Sequence, residues 1–76
     1  MKELLNTIVR PLVSDADAVT ITQIDQGYTV VLELRVAPDD MGKVIGKQGR
    51  RAQAIRSIMK AKAALAGKRV IVDIIG

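Results

Sequence analysis

Histidine, cysteine, tryptophan and phenylalanine are all missing from this 76-residue chain, and Tyr28 is its only aromatic residue. With no His or Cys, and only Ser14 and Ser57 as serines, no acid–base or nucleophilic constellation is visible, so an enzyme is not expected. The chain has no disulfide and no evident metal site, and no cofactor is expected. The lack of cysteine fits a reducing cytoplasm. Long apolar runs are missing too. The first residues, MKELLNTIVRPL, are interrupted by Glu3, Asn6 and Arg10 and so lack the continuous apolar stretch of a secretory signal. No run approaches the roughly 18 residues that a membrane span needs. The expectation is a soluble cytoplasmic protein with no membrane partner and no small-molecule substrate. A chain this short buries only roughly 60–65% of its unfolded surface, which leaves room for one domain over residues 1–76 and none for a second core. So small a core makes association with another chain a reasonable expectation.

Acid is scarce in one half of the chain only. Residues 1–40 carry Lys2, Arg10 and Arg35 against Glu3, Asp15, Asp17, Asp25, Glu33, Asp39 and Asp40, a net charge of −4. Residues 41–76 carry Lys43, Lys47, Arg50, Arg51, Arg56, Lys60, Lys62, Lys68 and Arg69 against Asp73 alone, a net charge of +8. Such segregation suits a surface that faces a polyanion.

What is present reads as six elements. Leu5, Ile8, Val9 and Leu12 recur at i, i+3, i+4 and i+7, the stripe of a short helix that Pro11 should end or kink. β-Branched residues dominate Val19 to Ile24, and alternation is strong from Tyr28 to Val36, so two strands are expected. Asp25-Gln26-Gly27 forms the turn between them. In the second strand Tyr28, Val30, Leu32, Leu34 and Val36 should share the buried face. Ile24, Val31, Ile71 and Ile75 should stand on the open face among Thr20, Thr22, Thr29, Glu33, Arg35 and Asp73, where clustering would create a protein-binding surface. Asp39 is placed to cap a short helix over Asp40 to Ile45. A longer helix should run from about Arg50 to Ala66, with Ile55, Ile58, Met59 and Leu65 inward, Arg50, Gln53, Ser57 and Lys60 outward, and Gly67 as its C-terminal cap. A last strand over Lys68 or Arg69 to Ile75 should lie parallel to the second. The fold class is therefore α+β, ordered helix-strand-strand-helix-helix-strand: a three-stranded mixed sheet with its helices on one face.

Between the two later helices lies Gly46-Lys47-Gln48-Gly49. Glycine permits both a sharp bend and close approach of a phosphate to the main chain. The first turn of the next helix offers free N–H groups and the positive end of its dipole. Lys47, Arg50 and Arg51 add full charges, so a sugar-phosphate site follows from the residues themselves.

The stretch Val44-Ile45-Gly46-Lys47-Gln48-Gly49 resembles the helix, G-x-x-G loop, helix signature of KH domains, and the element order resembles their bacterial type II arrangement. LELRVAPDDMGKVIGKQGR and AGKRVIVDIIG are similar to the small bacterial single-KH proteins of the KhpA family, a resemblance that covers nearly the whole chain. It implies non-catalytic binding of single-stranded RNA, with the loop clamping the backbone of about four nucleotides. The bases would lie in an apolar groove walled by Val44, Ile45 and Ile55, with Val70 to Val72 as its edge strand. The site would then comprise Val44, Ile45, Gly46, Lys47, Gln48, Gly49, Arg50, Arg51 and Ile55. The resemblance also implies work as an RNA chaperone or post-transcriptional regulator, contact with a second KH protein of the Jag type, and self-association. Ala52 departs from the family, which usually places a bulky aliphatic residue there, and implies a wider or shallower groove. Arg51 is a further departure, a second cation that adds phosphate contact without base selectivity.

Other readings of the same residues are weaker. Gly46 and Gly49 as a mere tight turn leave the flanking cations unexplained, whereas Arg56, Lys60 and Lys62 suit an ordinary solvated helix face as well as an RNA contact. Asp39-Asp40 reads as a helix start and Tyr28 as packing. A nucleotide-hydrolysing loop fails on spacing, since Gly42 to Gly46 is one residue short and Gln48 follows Lys47. A DNA-reading helix-turn-helix fits poorly with parallel flanking strands and no Asn on the second helix. RNA modules that stack bases on aromatic platforms are excluded by composition. Single-stranded DNA binding and a protein-interaction module with a vestigial loop stay as alternatives.

Overall fold

A computed structural model describes residues 1–75. Helix α1 spans Lys2–Val9 and buries Leu5 and Val9. The α-helix ends at Val9, as Pro11 predicts, and Pro11 sits in the 3-10 turn that follows, Arg10–Leu12. Strand β1 (Thr20–Gln26) pairs antiparallel with β2 (Thr29–Arg35), and the two-residue turn between them is Gly27-Tyr28, with Gly27 at φ +66. That turn is one step later than expected. It also puts Tyr28 on the exposed tip rather than on the buried face. Helix α2 (Met41–Ile45), helix α3 (Arg50–Leu65) and strand β3 (Arg69–Ile75) complete the chain. The sheet order is β1-β2-β3, with β2 and β3 parallel, the mixed topology expected of a strand pair joined through helices. Among the described residues no helix is long and apolar enough to cross a membrane.

One apolar core joins the helices to one face of the sheet. Leu5 and Val9 from α1, Val44 from α2, and Ile55, Met59 and Ala63 from α3 pack with Val30, Leu32, Leu34, Val70 and Val72. The inward stripe of α3 differs from expectation. Ala52, Ile55, Met59 and Ala63 are buried, while Ile58 is 47% and Leu65 87% exposed. Each residue advances about 100° around a helix, so once Ile55 and Met59 fix the phase, the small Ala52 and Ala63 share their stripe and Ile58 and Leu65 turn outward. Gly67, at φ +69, does end α3: its N–H donates to Ala64 O (3.0 Å) and the Lys68 N–H to Ala63 O (2.8 Å), a paired C-terminal cap. On the open face the register sets Ile24, Val31 and Ile71 side by side in one row, with Ile75 two rows away beside Arg35.

Asp39 makes no side-chain cap, because a 3-10 turn over Pro38–Asp40 leads into α2 instead. Its neighbour has the larger part. Asp40 is only 2% exposed, and its two carboxylate oxygens accept the N–H groups of Ser14 and Asp15, each at 3.0 Å. Lys43 Nζ lies 3.3 Å from the same carboxylate and also donates to Ser14 Oγ. The carboxylate thereby fastens the α1–β1 connection to the start of α2. These backbone hydrogen bonds, from Ser14 and then Asp15, hold its pKa below the ordinary 3.8, against the opposing effect of burial. Because the folded pKa is depressed, this contribution to stability is full above the unfolded value of 3.8 and is lost as pH falls through the folded one. Asp40→Ala is expected to lower the melting temperature at pH 7 by roughly 5–15 °C. Asp40→Asn should show a flatter loss of stability between pH 5 and pH 2 than the parent, measured by thermal melts across that range.

Candidate nucleic-acid interface

Helix α2 stops because Gly46 takes φ +74 and ψ 176 while its N–H closes the last helical turn on Gly42 O at 2.9 Å. A Cβ at this position would lie 2.6 Å from Arg51 Cβ, so the close approach of α3 to the bend excludes any side chain. Lys47–Gly49 form one 3-10 turn, closed by Gly49 N–H on Gly46 O at 3.2 Å. Within it Gln48 is left-handed (φ 58, ψ 25), as is Gly49 (φ 75, ψ 8). Gly49 differs from Gly46 in its surroundings: a Cβ there would meet nothing within 4 Å. One glycine lets the helices close on each other, and the other opens the main chain to solvent.

Gly49 is also the N-cap of α3, and no side chain caps that terminus. The Arg50 N–H donates to Lys47 O, and no side chain satisfies the other N–H groups in the first turn of this 16-residue helix, at the positive end of its dipole. Exposed Lys47 and Arg50 flank them. Gly46, Lys47, Arg50, Arg51 and Ala54 line a shallow hollow of about 360 Å³. Among the described residues the ion pairs are Met1 with Glu3 and Lys43 with Asp40, so no carboxylate neutralises Lys47, Arg50 or Arg51. An anion placed here would meet backbone donors and two exposed cations together.

The expected site residues separate into three groups. Gly46, Lys47, Gln48, Gly49 and Arg50 come together at the bend. Arg51 acts on the protein itself, since its Nη1 donates to Lys43 O at 2.7 Å and braces the C-terminus of α2 against α3. Val44 and Ile45, expected to be shared between core and groove wall, divide: Val44 is 0% exposed and belongs to the core with Ile55 (2%), the other expected wall residue, whereas Ile45 is 36% exposed beside the loop. Aliphatic residues at positions 44 and 55 fall on the inward faces of α2 and α3 and are taken up by β2 and β3. Ala52 is likewise buried, so the residue that departs from the expected bulk sits beneath the groove. Val70 and Val72 turn their side chains into the core, and the free edge of β3 offers main-chain groups instead. Arg56 was not among the expected site residues, yet its Nε donates to Val72 O on that edge at 3.1 Å. Its signal in the sequence was the i, i+4 spacing with Lys60 beside the strand that follows.

The bend carries strain that substitution can read. Gln48→Gly is expected to stabilise the unliganded chain by about 0.5–1 kcal/mol, the relief of a left-handed side chain less the added entropy of glycine in the unfolded state. Gly46→Ala should destabilise by more than about 2 kcal/mol through both its φ and its contact with Arg51. Urea unfolding of the two variants beside the parent measures both.

Comparison with known proteins matches nearly the whole chain to one family. The family model described as KhpA/KhpB, KH domain, matches residues 2–74. A protein named RNA-binding protein KhpA from Caldanaerobacter subterraneus subsp. tengcongensis is 56% identical over 75 residues, covering 99% of this chain and all of the relative. One of the same name from Clostridium acetobutylicum is 53% identical with the same coverage, and one from Aquifex aeolicus is 45% identical over 99% of this chain and 95% of its own length. With the α+β fold, the glycine-bracketed bend and a match along nearly its whole length, the chain belongs to the KhpA/KhpB family of KH domains.

Proposed function

We propose that this chain is a single KH domain that binds single-stranded RNA without catalysis, in the cytoplasm, as an RNA chaperone or post-transcriptional regulator. The observation that carries the reading is the start of α3 at Gly49, with no side-chain cap, lying between Lys47 and Arg50, neither of which forms an ion pair among the described residues. A ribose-phosphate strand would bring its phosphates against the N–H groups of the loop and first helical turn, while Lys47 and Arg50 supply charge. Ile45 offers an apolar contact to an unstacked base, and Val44, Ala52 and Ile55 hold that surface up from the core. An apolar wall favours unpaired bases because a duplex hides their faces. Arg51, engaged with Lys43 O, serves by keeping the bend in shape. The name borne by relatives more than half identical to this chain supports RNA as the ligand.

The finer reading of partners is a second KH chain, either a copy of this one or a Jag-type protein. Ala54, Ile58, Ala61 and Leu65 follow one another at spacings of four, three and four along the outer side of α3, the spacing of a helix-pairing seam. All four are exposed. Two large aliphatic side chains left outside on a helix with a core of its own are what such pairing would cover.

Lys47→Asp combined with Gln48→Asp tests the loop. Asp tolerates the left-handed position, so the melting temperature should stay close to that of the parent, while affinity for a short single-stranded RNA should fall on the order of ten- to a hundredfold. Retained affinity would favour a protein-interaction module with a vestigial loop, and equal affinity for DNA of the same sequence would make the single strand, rather than its sugar, the ligand. About three phosphate contacts give an expected log-log salt slope near −2, from roughly −0.7 per contact. For the partner surface, Ile58→Asp is expected to leave the fold intact and to abolish self-association in sedimentation velocity, because residue 58 lies outside the core.

A further inference from the structure

Tyr28, the chain's only aromatic residue, is used by neither the core nor the hairpin turn. It is 66% exposed, whereas Val30, two residues on, is 1% exposed. Gly27 takes a positive φ of +66 that Tyr28 does not share, the pattern of a II′ hairpin turn, which calls for glycine at the first central residue only. The main chain of the tip is nonetheless fixed. Gln26 pairs with Thr29 on one side, and the Tyr28 carbonyl accepts the Arg69 N–H at 3.0 Å on the other. Cations flank the ring's position. The register of Thr29 with Arg69 sets Lys68 and Arg69 beside Tyr28 across the two parallel strands, and both are exposed. Lys68 is itself anchored at the end of α3, where its N–H donates to Ala63 O. Among the described residues neither cation makes an ion pair. Asp25, the acid next to the turn, accepts the Gln23 side-chain amide at 3.1 Å instead. An aromatic face with unpaired cations beside it is the combination that holds an unpaired base and its phosphates: the ring stacks and the charges draw the backbone in.

We infer that Tyr28, Lys68 and Arg69 form a second contact for single-stranded RNA at the tip of the β1–β2 hairpin, an inference that rests on the RNA reading above. It is separate from the glycine loop. The 16 residues of α3 stand between them, about 24 Å along the helix axis, with the loop at the start of the helix and Lys68 just past its end. One ring is not a platform, and it offers a face to one base, without sequence preference because every base has a π face. Lys68 and Arg69 take the neighbouring phosphates. The two contacts lie at opposite ends of the domain and so hold two stretches of unpaired RNA at once.

With no tryptophan in the chain, Tyr28 is its sole fluorophore and reports on the contact directly. An oligouridylate long enough to reach both ends of the domain should, at saturation, quench Tyr28 emission roughly twofold or more, after correction for RNA absorbance with free N-acetyltyrosinamide. Tyr28→Phe should bind this RNA within twofold of the parent and Tyr28→Leu about fivefold or more weakly, the loss of one stacked base. Both should melt as the parent does, because the ring is in solvent. Lys68→Ala/Arg69→Ala should flatten the salt slope by roughly 1.4, two contacts at roughly 0.7 each. Unchanged emission at saturation, Tyr28→Leu binding like the parent, Tyr28→Phe as weak as Tyr28→Leu, or an unchanged salt slope each overturns the second contact. Failure of the loop itself has a different mark: Lys47→Asp/Gln48→Asp would then bind as the parent does, with Tyr28 still quenched.

Discussion

The close contact between Gly46 and the first turn of α3 is the constraint on which the site depends. Because no Cβ stands at residue 46, α2 and α3 meet through a bend of four residues, Gly46 to Gly49, and the Arg51 side chain can reach back to Lys43 O. The same bend places Gly49 at the start of α3, where no side chain caps the first turn of the helix. A residue with a side chain at 46 would push the helices apart and change the direction in which those donors point. The shape of the loop is thus a by-product of packing: the helices close on one side and the main chain opens on the other.

Charge and burial divide the labour around that bend. The acidic half of the chain contributes Asp40, whose carboxylate ties the Ser14–Asp15 segment to the root of α2, and the basic half is left without acid partners along α3. A core made of Leu, Val, Ile, Met and Ala carries no polar obligation, and among the described residues no buried side-chain polar atom lacks a partner. The sheet itself has two characters. One face is covered by helices, while the other shows the row Ile24, Val31 and Ile71 between polar rows.

Strong local signals were legible in the sequence. The β-branched run from Val19 and the alternation after Tyr28 mark β1 and β2 to within two residues, and the position of Gly67 marks the end of α3. The bend at Gly46 to Gly49 was visible because two glycines interrupt an otherwise helical pattern. Less was visible where small residues do the packing. Ala52 and Ala63 carry little hydrophobic signal, so Ile58 and Leu65 drew the inward assignment that the helical phase denies them. Long-range polar contacts were illegible for another reason. Asp40 meets partners 25 and 26 residues earlier, and the bracing role of Arg51 exists only once the bend has formed. Val44 and Ile55 show the same limit: their apolar character was plain, but only the packed sheet decides between core and groove.

The central claim is that the main chain from Lys47 to Arg51 is the surface a nucleic-acid strand meets. Titrating an oligouridylate into isotope-labelled protein and following each backbone amide by NMR tests this most directly. The largest displacements are expected at Lys47, Gln48, Gly49 and Arg50, with Ile24 and Val31 on the open sheet face unmoved. Still loop amides at saturating RNA, with the changes gathered on the open face instead, would contradict the account.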